Sequence, residues 1–287
     1  MPGVWLRAST IETEPLASIC EPAFALVAQG KKRTVLGDQV FQYGAGQYLV
    51  VSVDLPLVGQ VVRASREEPY LALAMTLKPA KIAELLLQAG TRSESAEPRG
   101  LAVSRASEEL LDPVVRLLRM MDRRSDVAIL APMLEREILW RLLAGEQGAT
   151  VRAIGLADSR LSHINRTIRW IRAHFAEPLS MDELAQVASM ASSTFYRSFR
   201  AVTSMSPLQF QKQLRLHEAR SRLIAGQRDI AGIGYEVGYG SPSQFSREYF
   251  RMFGAPPGKD AERLRALGPD LSDPSERAHG TLAAPLA

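Results

Sequence analysis

The chain has 287 residues, 46% hydrophobic and 23% charged, with a formal net charge of +4. That length allows one or two domains with buried cores, and no apolar run approaches the ~18 residues of a membrane-spanning helix. The single cysteine, Cys20, excludes an intrachain disulfide and a cysteine-based zinc site, and fits a reducing cytoplasm.

The opening MPGVWLRASTIETEP has neither a basic start nor a continuous apolar stretch, so no secretory signal is expected there. From 22 to 77, short runs such as FALVAQG, QYLVVSV and YLALAMTL alternate with Gly, Asp and Pro, which predicts a small antiparallel barrel or sandwich. PAKIAELLLQAG predicts a helix opened by Pro79 and stopped by Gly90. The polar TRSESAEPRG that follows reads as an exposed loop.

Two helices are expected over 107–145, with stripes at Leu110, Val114, Leu117 and Met121 and at Leu134, Ile138 and Leu142. These stripes could pair two subunits or pack against their own barrel. A helix over about 157–175 follows, with Leu161, Ile164, Ile168, Ile171 and Phe175 on one side. Helices then run to about 265, and the small, polar, Pro-bearing tail 266–287 is expected to be disordered. Charge divides unevenly: residues 151–265 hold 17 Lys and Arg against 10 Asp and Glu, whereas the rest holds 18 against 21. A basic half points towards nucleic acid, although chance clustering of surface arginines explains the charge alone equally well.

A repeat gives that half its meaning. ASSTFYRSFRAVTSMSP (191–207) and SPSQFSREYFRMFGAPP (241–257) align at an offset of 50, matching Ser193 with Ser243, Phe195 with Phe245, Arg197 with Arg247, Phe199 with Tyr249 and Pro207 with Pro257. The preceding helices align at 49, Leu184-Ala185 on Ile233-Gly234, so the second turn is expected to be one residue longer. Small residues at 185, 188, 234 and 238 let two helices cross closely, as a helix-turn-helix requires. Phe195, Phe199 and Val202 form an inward stripe; Ser193, Tyr196, Arg197 and Arg200 lie about 200° away. Ser243, Gln244, Ser246 and Arg247 are the corresponding outward set. Arg197 and Arg247 suit bidentate contact with guanine, and Gln244 with adenine. Ser241-Pro242 is a good helix start. Between the copies, SPLQFQKQLRLHEARSRLIAG reads as a helix of about 25 Å, a spacer suited to successive major grooves ~34 Å apart.

From about 160 to 262 the chain resembles the DNA-binding domain of AraC/XylS-type bacterial transcription regulators, most specifically through GYEVGYGSPSQFSREYFRMFGAPP. VAQGKKRTVLGDQVFQYGAGQYLVVSVDLPLVGQVV (27–62) and ILAPMLEREILWRLLAGEQGA (129–149) are similar to the N-terminal domain of one branch of that family. The resemblance implies an α+β, two-domain protein. A cupin-like β-barrel with helices over 1–150 would sense a small-molecule effector or mediate dimerisation, and an all-α domain over 157–265 would carry two helix-turn-helix motifs joined by a linker helix. It implies double-stranded promoter or operator DNA as partner, RNA polymerase as a candidate second partner, a homodimer, and no cofactor. Two departures fall in the first motif: Ser189 stands where the turn usually has Gly, and Ala191 where the reading helix usually has a Ser-type cap. An absent cap costs ~1 kcal/mol.

Cupin-like barrels are often metalloenzymes, which makes a metal-dependent enzyme with a helical appendage the alternative. The histidines are His163, His174, His217 and His279, none within 1–150, so a two-His-plus-carboxylate site has no ligands there. Asp38, Asp54 and Glu67 offer carboxylates only, at turn-like positions. A third reading is a regulator that acts by protein contact alone. GIGYEVG (232–238) does not match a dinucleotide-binding glycine pattern. His163 and His217, on helices among arginines, are expected to be solvated. Cys20, expected to precede the first strand, suits a small half-buried side chain better than a redox sensor. Phe24, Gln29, Phe41, Tyr43 and Tyr48 suit either effector-pocket walls or plain core.

Overall fold

In the computed structural model, residues 3–90, 99–120, 123–227 and 229–266 are described. The expected polar loop at 91–98, Met121 of the first 107–145 stripe and the tail beyond 266 lie outside them. Nine strands and one helix come first: β1 Val4–Ser9, β2 Leu16–Cys20, β3 Ala23–Gln29, β4 Lys31–Leu36, β5 Gln39–Gly44, β6 Gln47–Val51, β7 Leu55–Arg63, β8 Tyr70–Thr76, α1 Pro79–Ala89 and β9 Leu101–Arg105. They form two antiparallel sheets, ordered β1-β8-β3-β6-β9 and β2-β7-β4-β5. The expected barrel is corrected here, because the sheets are not closed: β1 and β9 edge one, β2 and β5 the other. Three strands outside the 22–77 window account for much of this. β1 adds to β8, β9 returns to pair with β6, and β2 lines up on β7. Cys20 therefore ends β2 rather than preceding the first strand.

Ten helices follow among the described residues: α2 Glu108–Met120, α3 Arg124–Ala144, α4 Gly148–Gly155, α5 Arg160–Ala173, α6 Met181–Val187, α7 Ser192–Thr203, α8 Pro207–Ile224, α9 Ile230–Glu236, α10 Pro242–Phe253 and α11 Pro257–Ala266. The stripe of α2 buries Leu110, Val114 and Leu117. α3 is apolar on both sides: Leu134, Ile138 and Leu142 are buried, while Ile129, Met133 and Trp140 face out.

The hydrophobic interior has two parts. One runs without a break from the sheets through α2–α5 to α6, α7 and the first half of α8, ending at Phe210 and Leu214. The other gathers Leu216, Ala219 and Leu223 from the second half of α8 with Ile233, Phe245, Tyr249 and Ala261. α8 supports both. Its start is fixed by a capping box, in which Ser206 accepts from the Gln209 backbone and the Gln209 side chain accepts from the Ser206 backbone, with Pro207 in the first turn.

Candidate nucleic-acid interface

The repeat folds into two copies of one device. α6, the turn 188–191 and α7 form the first; α9, the longer turn 237–241 and α10 form the second. Equivalent backbone bonds tie each turn: Ser189 N donates to Gln186 O and Gly238 N to Tyr235 O, both at 2.9 Å. Met190 N donates to Ala185 O at 3.0 Å, and Tyr239 N to Gly234 O at 2.9 Å. The helices cross so closely at Gly234 that a Cβ there would lie 3.2 Å from the Phe245 ring.

The copies differ where the backbone is left-handed. Ser189 (φ 52) occupies the turn position that Gly238 (φ 92) fills in the second copy, and Ser204 (φ 58) ends α7 where Gly254 (φ 75) ends α10. An L-residue in this region costs roughly 1–2 kcal/mol relative to glycine. The two exposed helices, α7 and α10, also start differently. Ser241 accepts from the Gln244 backbone, whereas Ala191 makes no side-chain cap.

Phe195, Phe199 and Val202 of α7, and Phe245 and Tyr249 of α10, are buried. Ser193, Tyr196, Arg197 and Arg200 are all exposed on the opposite side of α7. On α10, Ser243 and Arg247 are exposed, with Arg247 Nε donating to the Ser243 carbonyl at 3.3 Å, while Gln244 and Ser246 are half-buried. Gln244 is also engaged: its Nε2 donates to Glu248 Oε1 at 3.3 Å. Glu248 accepts from Lys212 Nζ and from the Tyr239 hydroxyl, each at 3.0 Å. Burial pushes the Glu248 carboxyl up, but these three donors more than offset it and leave it below its ordinary value. Bidentate contact with adenine would require the Gln244 amide to leave Glu248.

Several residues hold α7 and α10 in place without showing it in the sequence. Arg215 of α8 donates to the carbonyls of Phe175, Ala176 and Glu177 and, through Nη1, to that of Gly238 at 2.7 Å, binding the α5–α6 loop to the second turn. Asp260 of α11 is fully buried and accepts from Arg220 Nε at 2.8 Å and Nη2 at 3.2 Å, the Tyr249 hydroxyl at 2.9 Å and Arg263 Nη2 at 3.1 Å. Burial first, and then the Asp260 charge, push the Tyr249 phenol upward. Much of the local basic surplus is thus structural, since Arg172, Arg215, Arg220, Arg222 and Arg263 all hold protein partners.

The expected solvated histidines are corrected. His163 Nδ1 lies 2.7 Å from the Ala188 carbonyl in the first turn. His217 sits against Phe253 with its Nε2 buried and without a hydrogen bond, and burial, aided by Arg220, lowers its pKa to about 3. The surrounding helices exclude the water that would carry its charge.

The sheets press on the first copy. Asp54, buried before β7, pairs with Arg172 of α5. Gly100 and Gly37 abut the end of α7: Cβ atoms there would lie 1.9 Å from the Val202 carbonyl oxygen and 2.8 Å from that of Ser204. Asp38 is exposed at the same end of the four-stranded sheet as Asp54, and Glu67 at the other. Among the described residues no three His, Cys, Asp or Glu side chains gather as a metal site. Phe24, Tyr43 and Tyr48 are core, Tyr43 within 3.2 Å of the Thr34 hydroxyl, while Gln29 and Phe41 are half-buried. No described helix is long and apolar enough to cross a membrane.

Paired helix-turn-helix units on one spacer helix, each with an outward face that carries arginine, define the class: a double helix-turn-helix protein with a β-sheet domain in front. Comparison with known families agrees. Residues 1–150 match the AraC-type transcriptional regulator N-terminus, and residues 184–263 match a helix-turn-helix domain. The chain belongs to the AraC-type transcriptional regulators. It is similar to the HTH-type transcriptional activator RhaS of Salmonella schwarzengrund (strain CVM19633), 27% identical over 165 residues, which is 55% of this chain and 58% of that protein. The match to RhaS of Salmonella arizonae is also 27%, over 162 residues. The chain thus spans little more than half the length of these relatives. In fold it is similar to ToxT from Vibrio cholerae O395 bound to (E)-4-(8-methylnaphthalen-1-yl)but-3-enoic acid, with a TM-score of 0.60 at 8% identity over 91% of this chain and 99% of that one. Unsaturated fatty acid-bound ToxT from strain SCE256 gives 0.55 at 9% over 90% and 95%.

Proposed function

We propose that this chain is a sequence-specific DNA-binding transcription regulator whose two reading helices enter successive major grooves on one face of the duplex. One observation carries the reading: α7 and α10 are built alike, expose matched faces, and sit on a single helix of 18 residues, about 27 Å long at ~1.5 Å per residue. That length suits grooves ~34 Å apart. In this reading Ser193, Tyr196, Arg197 and Arg200 face one groove and Ser243, Gln244, Ser246 and Arg247 the next. Family membership supports it over a metal-dependent enzyme.

The finer parts are proposals of the same kind. Residues 1–150 act as an effector and dimerisation domain, and 157–265 as the DNA-binding domain. The ToxT structures bound to a butenoic acid and to an unsaturated fatty acid support a small-molecule effector, which in this reading binds the sheet domain. The outward stripe of Ile129, Met133 and Trp140 on α3 supports a homodimer. Activation through RNA polymerase is favoured by the likeness to RhaS, and DNA as ligand favours the cytoplasm.

The test is selection of bound sequences from a random pool, followed by salt titration of the best site. Two enriched blocks about one helical turn apart are expected. Arg247→Ala should then weaken that site by about 1–3 kcal/mol and relax base choice at one position. An equal loss on random DNA would make Arg247 a phosphate contact. No enriched sequence would defeat the proposal.

A further inference from the structure

Phe250 is a large apolar side chain left 54% exposed on α10. Isolated exposed apolar residues are ordinary on protein surfaces, so exposure alone says nothing. Its position does. At about 100° per residue, Phe250 falls between Ser243 and Ser246 around the helix axis and one turn beyond Arg247, on the side of the outward face nearer Ser246. The exposed Arg247 and Arg251 both lie to one side of it, about 60° and 100° away, while the buried Phe245 and Tyr249 lie to the other, about 140° and 100° away. The repeat fixes its counterpart independently. At the offset of 50 that matches Phe195 with Phe245 and the left-handed Ser204 with Gly254, Phe250 corresponds to Arg200, which is exposed on the outward face of α7.

We propose that Phe250 is a specificity-determining residue of the second motif and seats its ring on the 5-methyl group of a thymine. The inference rests on the DNA-reading function proposed above. A phenyl ring cannot bond a guanine or adenine edge, and it has nothing to offer a phosphate. The apolar feature of the major groove that it does fit is the thymine methyl. The two copies therefore differ in what they read at this position: Arg200 addresses an acceptor, and Phe250 a methyl group. Serines at 243 and 246, short and small, lie on either side of the ring around the helix and leave it room to approach the base edges.

The test uses the full chain and the site selected from a random pool. Binding of wild type and Phe250→Ala is measured on that site and on versions in which each thymine of the second block is replaced by deoxyuracil, which lacks only the methyl group. At one position deoxyuracil should weaken wild type about fourfold, the worth of one buried methyl. Phe250→Ala should bind both versions equally, at an affinity below that of wild type on thymine. Arg247→Ala should keep the thymine preference. Methyl-independent binding by wild type at every position would overturn the proposal, as would a thymine preference that survives in Phe250→Ala. A Phe250→Ala variant that binds like wild type but no longer activates transcription would overturn it too and make the ring a protein contact. Failure of wild type to select any sequence would overturn the underlying DNA-reading function as well, and it is seen before deoxyuracil is used.

Discussion

Replacing Asp260 by Asn tests whether the second reading head is held by one buried charge. Asp260 is fully buried, the side chain of its partner Arg220 is 7% exposed, and the pair joins α11 to α8. Tyr249 of α10 donates to the same carboxylate, and Arg220 also lies 4.3 Å from the Phe253 ring. Asn keeps the shape but leaves the guanidinium buried without a counter-charge, a change worth about 3–5 kcal/mol. Against the roughly 5–15 kcal/mol of a whole domain, that is enough to unfold the smaller interior first. Hydrogen exchange should show α9–α11 opening while α6 and α7 keep their protection, and DNA selection should return one block instead of two. Replacing both partners with apolar residues, Arg220→Met with Asp260→Leu, should recover most of the loss, because no charge is then stranded. A loss below ~1 kcal/mol for Asp260→Asn, or equal loosening of α7 and α10, would refute the account.

Two further outcomes follow from the local geometry. Ser189→Gly and Ser204→Gly should each raise stability by about 0.5–1 kcal/mol, because relief of the left-handed backbone is only partly offset by glycine's greater unfolded freedom. The opposite exchange in the second copy, Gly254→Ser, should lower stability by a similar amount. Thermal unfolding measures this, and an unchanged Tm for both glycine variants would count against it. His217, with a folded pKa near 3 and an unfolded value near 6.5, stays neutral in the fold while the unfolded chain takes up a proton. Its effect is absent above pH 6.5 and grows as pH falls towards 3, reaching about 2 kcal/mol of lost stability at pH 5. His217→Leu should flatten stability between pH 7 and 5; parallel pH curves for the two proteins would refute the assignment.

Much of the helix-turn-helix half was legible because its signals are local. Ser241-Pro242 fixes a helix start, the offset of 49 then 50 gives the longer second turn, and Ser189 stands out against Gly238. Ser204 carries the same signal against Gly254 and could have been read the same way. What stayed hidden depends on distant partners. Arg220 and Asp260 are 40 residues apart, and nothing beside either one in sequence announces the pair. His217 sits among charged neighbours on α8, so its burial follows from Phe253 and the surrounding helices rather than from its own surroundings in sequence. β2 and β9 are short, and β2 is half-buried throughout, so neither shows the alternation that marks a strand. Without these added edges, the middle strands alone left a barrel and a sandwich both open, and the closed barrel came from the family resemblance.

The division of the interior along α8 has a mechanical meaning. Because the sheets and α7 share one continuous core, they behave as a chassis, and the second reading head is an outrigger carried on the far half of α8. Arg215, between Leu214 and Leu216, clamps the two parts together, since it donates to the carbonyls of Phe175, Ala176 and Glu177 on one side and to that of Gly238 on the other. In the function proposed above, that clamp would fix the separation of the two helices, so the groove spacing the molecule fits would be set at Arg215, apart from the bases that either helix contacts.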